Sequence, residues 1–225
     1  MSTSPHDLTH WIRARRTVKV LGEVDSHRAV PKELAARNRS WVLAAIETAG
    51  WAPFHHPRQE GGLAEPWRVH VLWDEAAWKL ACHLREERGV RTKEPQLAAA
   101  CQALLLVTWL PEFGEPEQKR ASPLSEEGQR TRDEEHLAAT AAMVQNLLLL
   151  LTEQGIGNYW SSGGVLREKE VLAHLGVGPE ERLLAALFLE YPEMREEGFQ
   201  RKPGALRDRR GRGWVREVGD SSFDF

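Results

Sequence analysis

Apolar positions recur along this chain at two periods. Leu34, Ala35, Val42, Ala45 and Ile46 fall three or four residues apart and predict an amphipathic helix over 31–50, with Pro31 in its first turn and Gly50 at its end. Leu8, Trp11 and Ile12 share one face of a shorter helix near Asp7–Arg16. "WRVHVLW", Trp67–Trp73, alternates and is rich in Val, which predicts a strand. "DEAAWKLACHLREERG" then predicts a helix with Asp74 as its cap. "ALLLVTWL", Ala103–Leu110, is apolar throughout and suits a strand buried on both faces. Residues 112–132 are charged and aperiodic and predict a mobile loop or lid. From Asp133 to Gly155 a helix is expected, acidic in its first turn and apolar almost all round between Leu137 and Leu151. Such a helix requires cover on every side, from a central position or a subunit interface. "NYWSSGGVL" is turn-rich, "EKEVLAHLGV" a short helix and "RLLAALFLEYP" a further buried strand. Helices and strands mix without a βαβ rhythm, so the expected class is α+β.

Composition narrows the function classes. The 225 residues fit a single domain spanning 1–225, long enough to bury a core without a metal or disulfide staple. A net charge of −3 gives no reason to expect nucleic acid or an anionic membrane as partner. Cys82 and Cys101 fit no metal motif and no disulfide framework, which suits reduced thiols in the cytoplasm. The first sixteen residues lack the apolar core of a signal peptide, and no apolar run reaches the length of a membrane helix.

Four segments carry candidate chemistry. "RARRTVKVL", Arg13–Leu21, gathers cations beside a hydroxyl and suits an anionic group such as phosphate, or is a solvated helix end. The loop holding His55 and His56 has no third ligand at metal spacing and no partner for nucleophilic catalysis. "NYWSSGGVL" offers bare backbone N–H groups to a ligand, or is a plain turn. The Arg-rich tail around 201–218 can hold a phosphate, or is a solvated face.

The order of these segments is more specific than any one of them. "RRTVK", then "AP-x-H…EPWR", then "QNLLLL…GIGNYWSSG", then "LGV…LLAALFLEYP" and an Arg-rich tail resemble the nitroreductase-like flavoprotein superfamily, closest to its short bacterial branch. The resemblance spans Arg13 to Val218. It implies a central, mainly antiparallel sheet flanked by helices, and an intertwined homodimer with an FMN at each of two interface sites. It also implies ping-pong transfer of reducing equivalents from NAD(P)H to a small-molecule electron acceptor such as a nitro compound or quinone. Arg15, Arg16, Thr17 and Lys19 match the motif that holds the FMN phosphate and reaches the ring, and His55 matches the His that lies against the flavin. Pro66 and Trp67 match the "PW" that starts the central strand; Trp67 is expected in the core rather than stacked on a ligand. Tyr159, Trp160, Ser161, Ser162, Gly163 and Gly164 match the segment packed along the ring, and Arg207 and Arg209 match the pair that completes the phosphate site. Lys19 is then the cation for charge developing at N1/C2=O, with backbone donors of Ser161–Gly164 facing N5. No catalytic acid, base or nucleophile is needed, because the flavin carries the hard chemistry. Two departures stand out. The stretch between His55 and Pro66 is longer than usual, and Glu65 stands where Gln is common. A carboxylate at 65 can accept from flavin N3–H or point away. Alternatives of the same fold are a dehalogenase, an enone reductase and a non-catalytic flavin-binding protein.

Overall fold

The computed structural model describes residues 7–58, 62–112, 120, 122–195, 211, 213–215 and 217. Among these, four strands form one sheet, in the order β1-β2-β4-β3: β1 (Trp67–Trp73), β2 (Ala103–Trp109), β3 (Gly157–Ser161) and β4 (Arg182–Glu190). All three pairings are antiparallel. Trp67 faces Trp109, Ala103 faces Leu189 and Ser161 faces Ala186. The run Leu104–Val107 is buried completely, because helices cover both faces of the sheet. This is the α+β architecture that the sequence predicts.

One face carries α2 (Lys32–Ala49) and the long α5 (Glu126–Glu153), whose Val42, Ala45, Met143, Val144, Leu147 and Leu151 pack on Leu105, Val107 and Leu187. The other face carries α3 (Asp74–Cys82), α4 (Glu94–Ala100) and α6 (Lys169–His174), over Leu104, Leu106, Ala186 and Phe188. The first helix, α1 (Leu8–Ala14), begins at Asp7, which accepts from Thr9 N–H at 3.0 Å. Trp67 is 8% exposed and meets Phe54 edge-on at 5.5 Å, so it belongs to the core, as expected.

Four expectations need correction. First, α5 starts at Glu126, seven residues before the expected Asp133, so 126–132 are helix and not loop. Ser125 Oγ accepts from Gly128 N–H, and Glu126 and Glu127 lie in the first turn; capping and charge make a helix where apolar period is missing. Residues 113–119 and 121 lie outside the described residues. Second, Asp74 is the first helical residue of α3, not its cap. Its carboxylate accepts from Val30 N–H at 2.8 Å and faces His27 Nε2 at 3.2 Å, pinning the preceding loop. Third, Gly157–Ser161 of the turn-rich segment is a strand, because pairing with β4 overrides the poor strand propensity of its Gly, Asn and Ser. Fourth, Trp67 opens an edge strand of this chain's sheet, not a central one. In the single chain α5 leaves Ala138, Gln145 and Asn146 exposed, so a central position within one chain does not supply the whole of its cover.

Candidate functional site

Past α1 the chain turns at Arg15, whose N–H still bonds Trp11 O at 2.9 Å, and then lies along the free edge of β3. Thr17 bridges Asn158 in parallel, and Val18 N–H donates to Asn158 O at 2.9 Å. An edge strand presents unpaired backbone groups, and a short extended segment satisfies them. The consequence is chemical. Residues 13–19 hold four cations, Arg13, Arg15, Arg16 and Lys19, and the pairing brings them to the strand that leads into the glycine pair.

Lys19 Nζ lies 4.9 Å from the centroid of the Tyr159 ring, which itself stacks near Phe188 at 6.0 Å. An aromatic face holds an ammonium through its ring electrons. Among the described residues no carboxylate pairs with Lys19, which leaves its charge to a ligand. Trp160, the next residue, is 36% exposed.

Beyond β3 the backbone turns sharply. Gly163 has φ of 109° and Gly164 of 55°, conformations that suit glycine. Ser161 Oγ accepts from Gly163 N–H at 3.2 Å, and Arg167 Nη1 donates to Ser162 O at 2.9 Å. A Cβ on Gly163 would lie 2.7 Å from Leu183 Cδ2, and one on Gly164 would collide with Glu94 Oε1. Glu94 is the first residue of α4; its Oε2 is buried and meets no donor among the described residues. Neighbouring Lys93 is exposed.

His55 lies elsewhere. It is exposed in the loop between α2 and β1, with its ring 6.3 Å from that of His56. His56 Nε2 faces Glu135 Oε2 of α5 at 3.5 Å, and Arg58 N–H closes the loop on Ala64 O at 2.9 Å. Trp51, 88% exposed, joins Phe54, Leu63 and Glu65 in an open groove of about 670 Å³. This loop enters β1, and β1 and β3 are opposite edges of the sheet. Three strand spacings, roughly 14 Å, separate them. One chain thus assembles Arg15, Arg16, Thr17, Lys19, Tyr159, Trp160, Ser161, Ser162, Gly163 and Gly164, and leaves His55 on the far side. Arg207 and Arg209 lie outside the described residues.

Two polar groups were not legible in the sequence. Glu94 stands beside Pro95, and Pro at the start of a helix was a usable signal for α4 that went unread. His136 and Glu112 are both buried with 3.5 Å between Nε2 and Oε2, where β2 leaves the sheet against α5; nothing in their spacing announces the pair. Burial pushes the thiols of both Cys82 and Cys101 up, that of the fully buried Cys101 far beyond the usual thiol range. A cavity of about 200 Å³ lies at the other end of the sheet, but three of its charged side chains are engaged within the chain. Asp74 accepts from Val30 N–H, Arg28 bonds Met194 O at 3.2 Å, and Glu190 faces Arg195 at 3.5 Å. The β3 edge, with an ammonium that no carboxylate among the described residues neutralises and a turn of bare glycine backbone, is the better candidate.

Residues 12–189 match the Nitroreductase family. The chain belongs to that family. YfhC of Bacillus subtilis (strain 168), named for a proposed NAD(P)H nitroreductase activity, is 30% identical over 208 residues, covering 88% of this chain and 90% of YfhC. Among solved structures, a nitroreductase-like family protein from Bacillus cereus superposes with a TM-score of 0.57 at 23% identity, covering 94% of this chain and 97% of that one. A nitroreductase with bound FMN from Bacteroides fragilis NCTC 9343 gives 0.55 at 20% identity, over 95% and 100%. The residues at the β3 edge fit a flavin in kind: cations for a phosphate and bare glycine backbone for a flat ring.

Proposed function

We propose that this nitroreductase-family chain is an FMN-dependent oxidoreductase that passes reducing equivalents from NAD(P)H to a nitro compound, quinone or similar small acceptor. The observation that carries this reading is the laying of the Arg13–Lys19 segment along β3, which puts Lys19 over Tyr159 beside the Gly163–Gly164 turn. FMN, when bound, supplies the hydride chemistry. Arg15 and Arg16, with Arg207 and Arg209, hold the phosphate as charged planar donors. The Lys19 ammonium stabilises negative charge arising on the ring, because an oriented cation costs no reorganisation at the moment of transfer. The Ser161–Gly164 backbone would offer its N–H groups to the ring, in a turn that the chain's own packing against Leu183 and Glu94 reserves for glycine at 163 and 164.

The site is shared between two copies of the chain in this reading. His55 stands on the β1 edge, so its place against the flavin of the β3 edge is filled by the partner's loop. The homodimer works in the cytoplasm. Both NAD(P)H and acceptor use the same face in turn, by ping-pong exchange.

The absorption spectrum of purified protein tests the reading directly. Flavin bands that bleach anaerobically on adding NADH or NADPH, with FMN as the released cofactor, are the expected result. FAD, or no flavin after reconstitution, overturns it.

A further inference from the structure

Backbone pairing fixes only the root of Lys19. Thr17 bridges Asn158, and Val18 N–H donates to Asn158 O at 2.9 Å, which ties the chain to β3 one residue before the lysine. The tip is another matter. A lysine ammonium rides on a flexible four-carbon stem and is strongly hydrated when left alone. Here it lies 4.9 Å from the centroid of the Tyr159 ring, within the range where an aromatic face attracts a cation. Lys19 and Tyr159 are both half-buried, and no carboxylate among the described residues pairs with Lys19. The ring is held in its turn. Tyr159 faces Phe188 directly across the β3–β4 ladder, and their rings stack at 6.0 Å with 22° between the planes. Phe188 is 5% exposed, so it anchors Tyr159 to the core. Covering that core asks only for an apolar side chain of the right size at 159. Attracting the ammonium asks for a ring.

We propose that Tyr159 is a positioning residue, whose ring face holds the Lys19 ammonium in place and thereby helps to set the potential of the bound flavin. This rests on the FMN reading above. A fixed cation beside the flavin favours the electron-rich reduced form over the oxidised one. Released from Tyr159, the ammonium swings out and hydrates, and that preference weakens. Tyr159 acts on the flavin through Lys19, so its effect depends on the lysine being present. Phe188 contributes by holding the ring on which the ammonium rests.

The first measurement needs no flavin. In NMR spectra of the apoprotein, the ε-methylene protons of Lys19 are expected upfield of their ordinary position in the wild type and in Tyr159→Phe, and at that position in Tyr159→Leu. A wild type without the upfield shift overturns the proposal. The second compares midpoint potentials of the FMN-loaded wild type, Tyr159→Phe, Tyr159→Leu, Lys19→Met and the Lys19→Met/Tyr159→Leu double variant. Tyr159→Leu is expected to lose about two- to thirtyfold of the preference for reduced over oxidised FMN, a potential lower by ~10–45 mV for a two-electron couple. Tyr159→Phe keeps the ring and the potential. In the Lys19→Met background the leucine change has no further effect. Equal shifts with and without Lys19 would show that Tyr159 acts by packing alone, and overturn the proposal. An unchanged potential in Tyr159→Leu also overturns it, while leaving the flavin reading intact. Should Tyr159→Leu fail to fold, pentafluorophenylalanine in place of Tyr159 keeps the ring's shape and reverses its charge distribution. A potential equal to that of Tyr159→Phe then overturns the proposal. A wild type that shows the upfield shift but binds no FMN removes the flavin reading and this proposal with it.

Discussion

At the scale of residues, the candidate site depends on cations placed along the β3 edge. Lys19 lies over Tyr159, and no carboxylate among the described residues pairs with it. Arg15 is half-buried at the point where α1 ends, so its side chain is directed by the turn rather than loose in solvent. Arg15→Ala is expected to weaken FMN binding by roughly 2–4 kcal/mol, because a charge-assisted contact is lost and a dianion is left under-paired. Equilibrium dialysis or fluorescence titration of the apoprotein checks this, and unchanged affinity would move the phosphate to other cations. The motif "RRTVK" was legible in the sequence because its residue types are scarce together. Glu94 was not, since its meaning comes from the contact with Gly164, seventy residues away.

At the scale of elements, one network ties the sheet together at the end that carries the site. Glu181, just before β4, receives bonds from His70 of β1 at 2.7 Å, Thr108 Oγ1 of β2 and Gly178 N–H at 3.2 Å. Burial alone would raise its carboxyl. The hydrogen bonds from His70 and Thr108, the charge of His70 and the Gly178 N–H outweigh burial and hold it below the ordinary carboxylate value of 4.5. A depressed folded-state value means stability that is complete above about pH 4.5 and drains away as pH falls through the lower, folded-state value. Urea unfolding at pH 7 and at pH 4 and below is expected to show this loss. His70→Ala should cost about 1.5–3 kcal/mol at neutral pH, as expected for a hydrogen bond to a charged group, and should shrink the acid loss. An unchanged acid limb in His70→Ala would show that Glu181 is not its source. The strands of this network were plain in the sequence. The network was not, because Glu181 reads as an ordinary surface residue in a turn.

At the scale of the whole molecule, the single chain leaves work undone. Leu8 and Ile12 of α1, Trp41 and Leu43 of α2 and Trp51 of the following loop are large apolar residues exposed to solvent, and α5 keeps an open face. A second copy that covers them and brings its His55 loop to the β3 edge accounts for both features. Sedimentation equilibrium is expected to give a dimer, with flavin lost on dilution to monomer. A soluble monomer that keeps its flavin at nanomolar concentration contradicts this. His55→Ala should lower flavin affinity or shift its potential more than it impairs electron transfer to acceptors. A variant that binds FMN and is reduced normally, yet reduces no acceptor, would give His55 a different role. Steady-state rates should give parallel double-reciprocal lines, since a single face serves both substrates in turn; intersecting lines would require a ternary complex.

Local pattern by itself determined the α+β class, the exact span Trp67–Trp73 and the two buried strands around Leu106 and Leu187. Periodicity and turn chemistry act between near neighbours, so they are written in the residues themselves. Tertiary structure decided what those rules do not reach. It made a strand of Gly157–Ser161 by offering β4 as a partner, and put Thr17 beside Asn158. It placed the two halves of the expected flavin site on opposite edges of one sheet. The physical reason is that pairing, burial and the separation of edges depend on contacts between distant residues, and those contacts exist only once the chain has closed on itself.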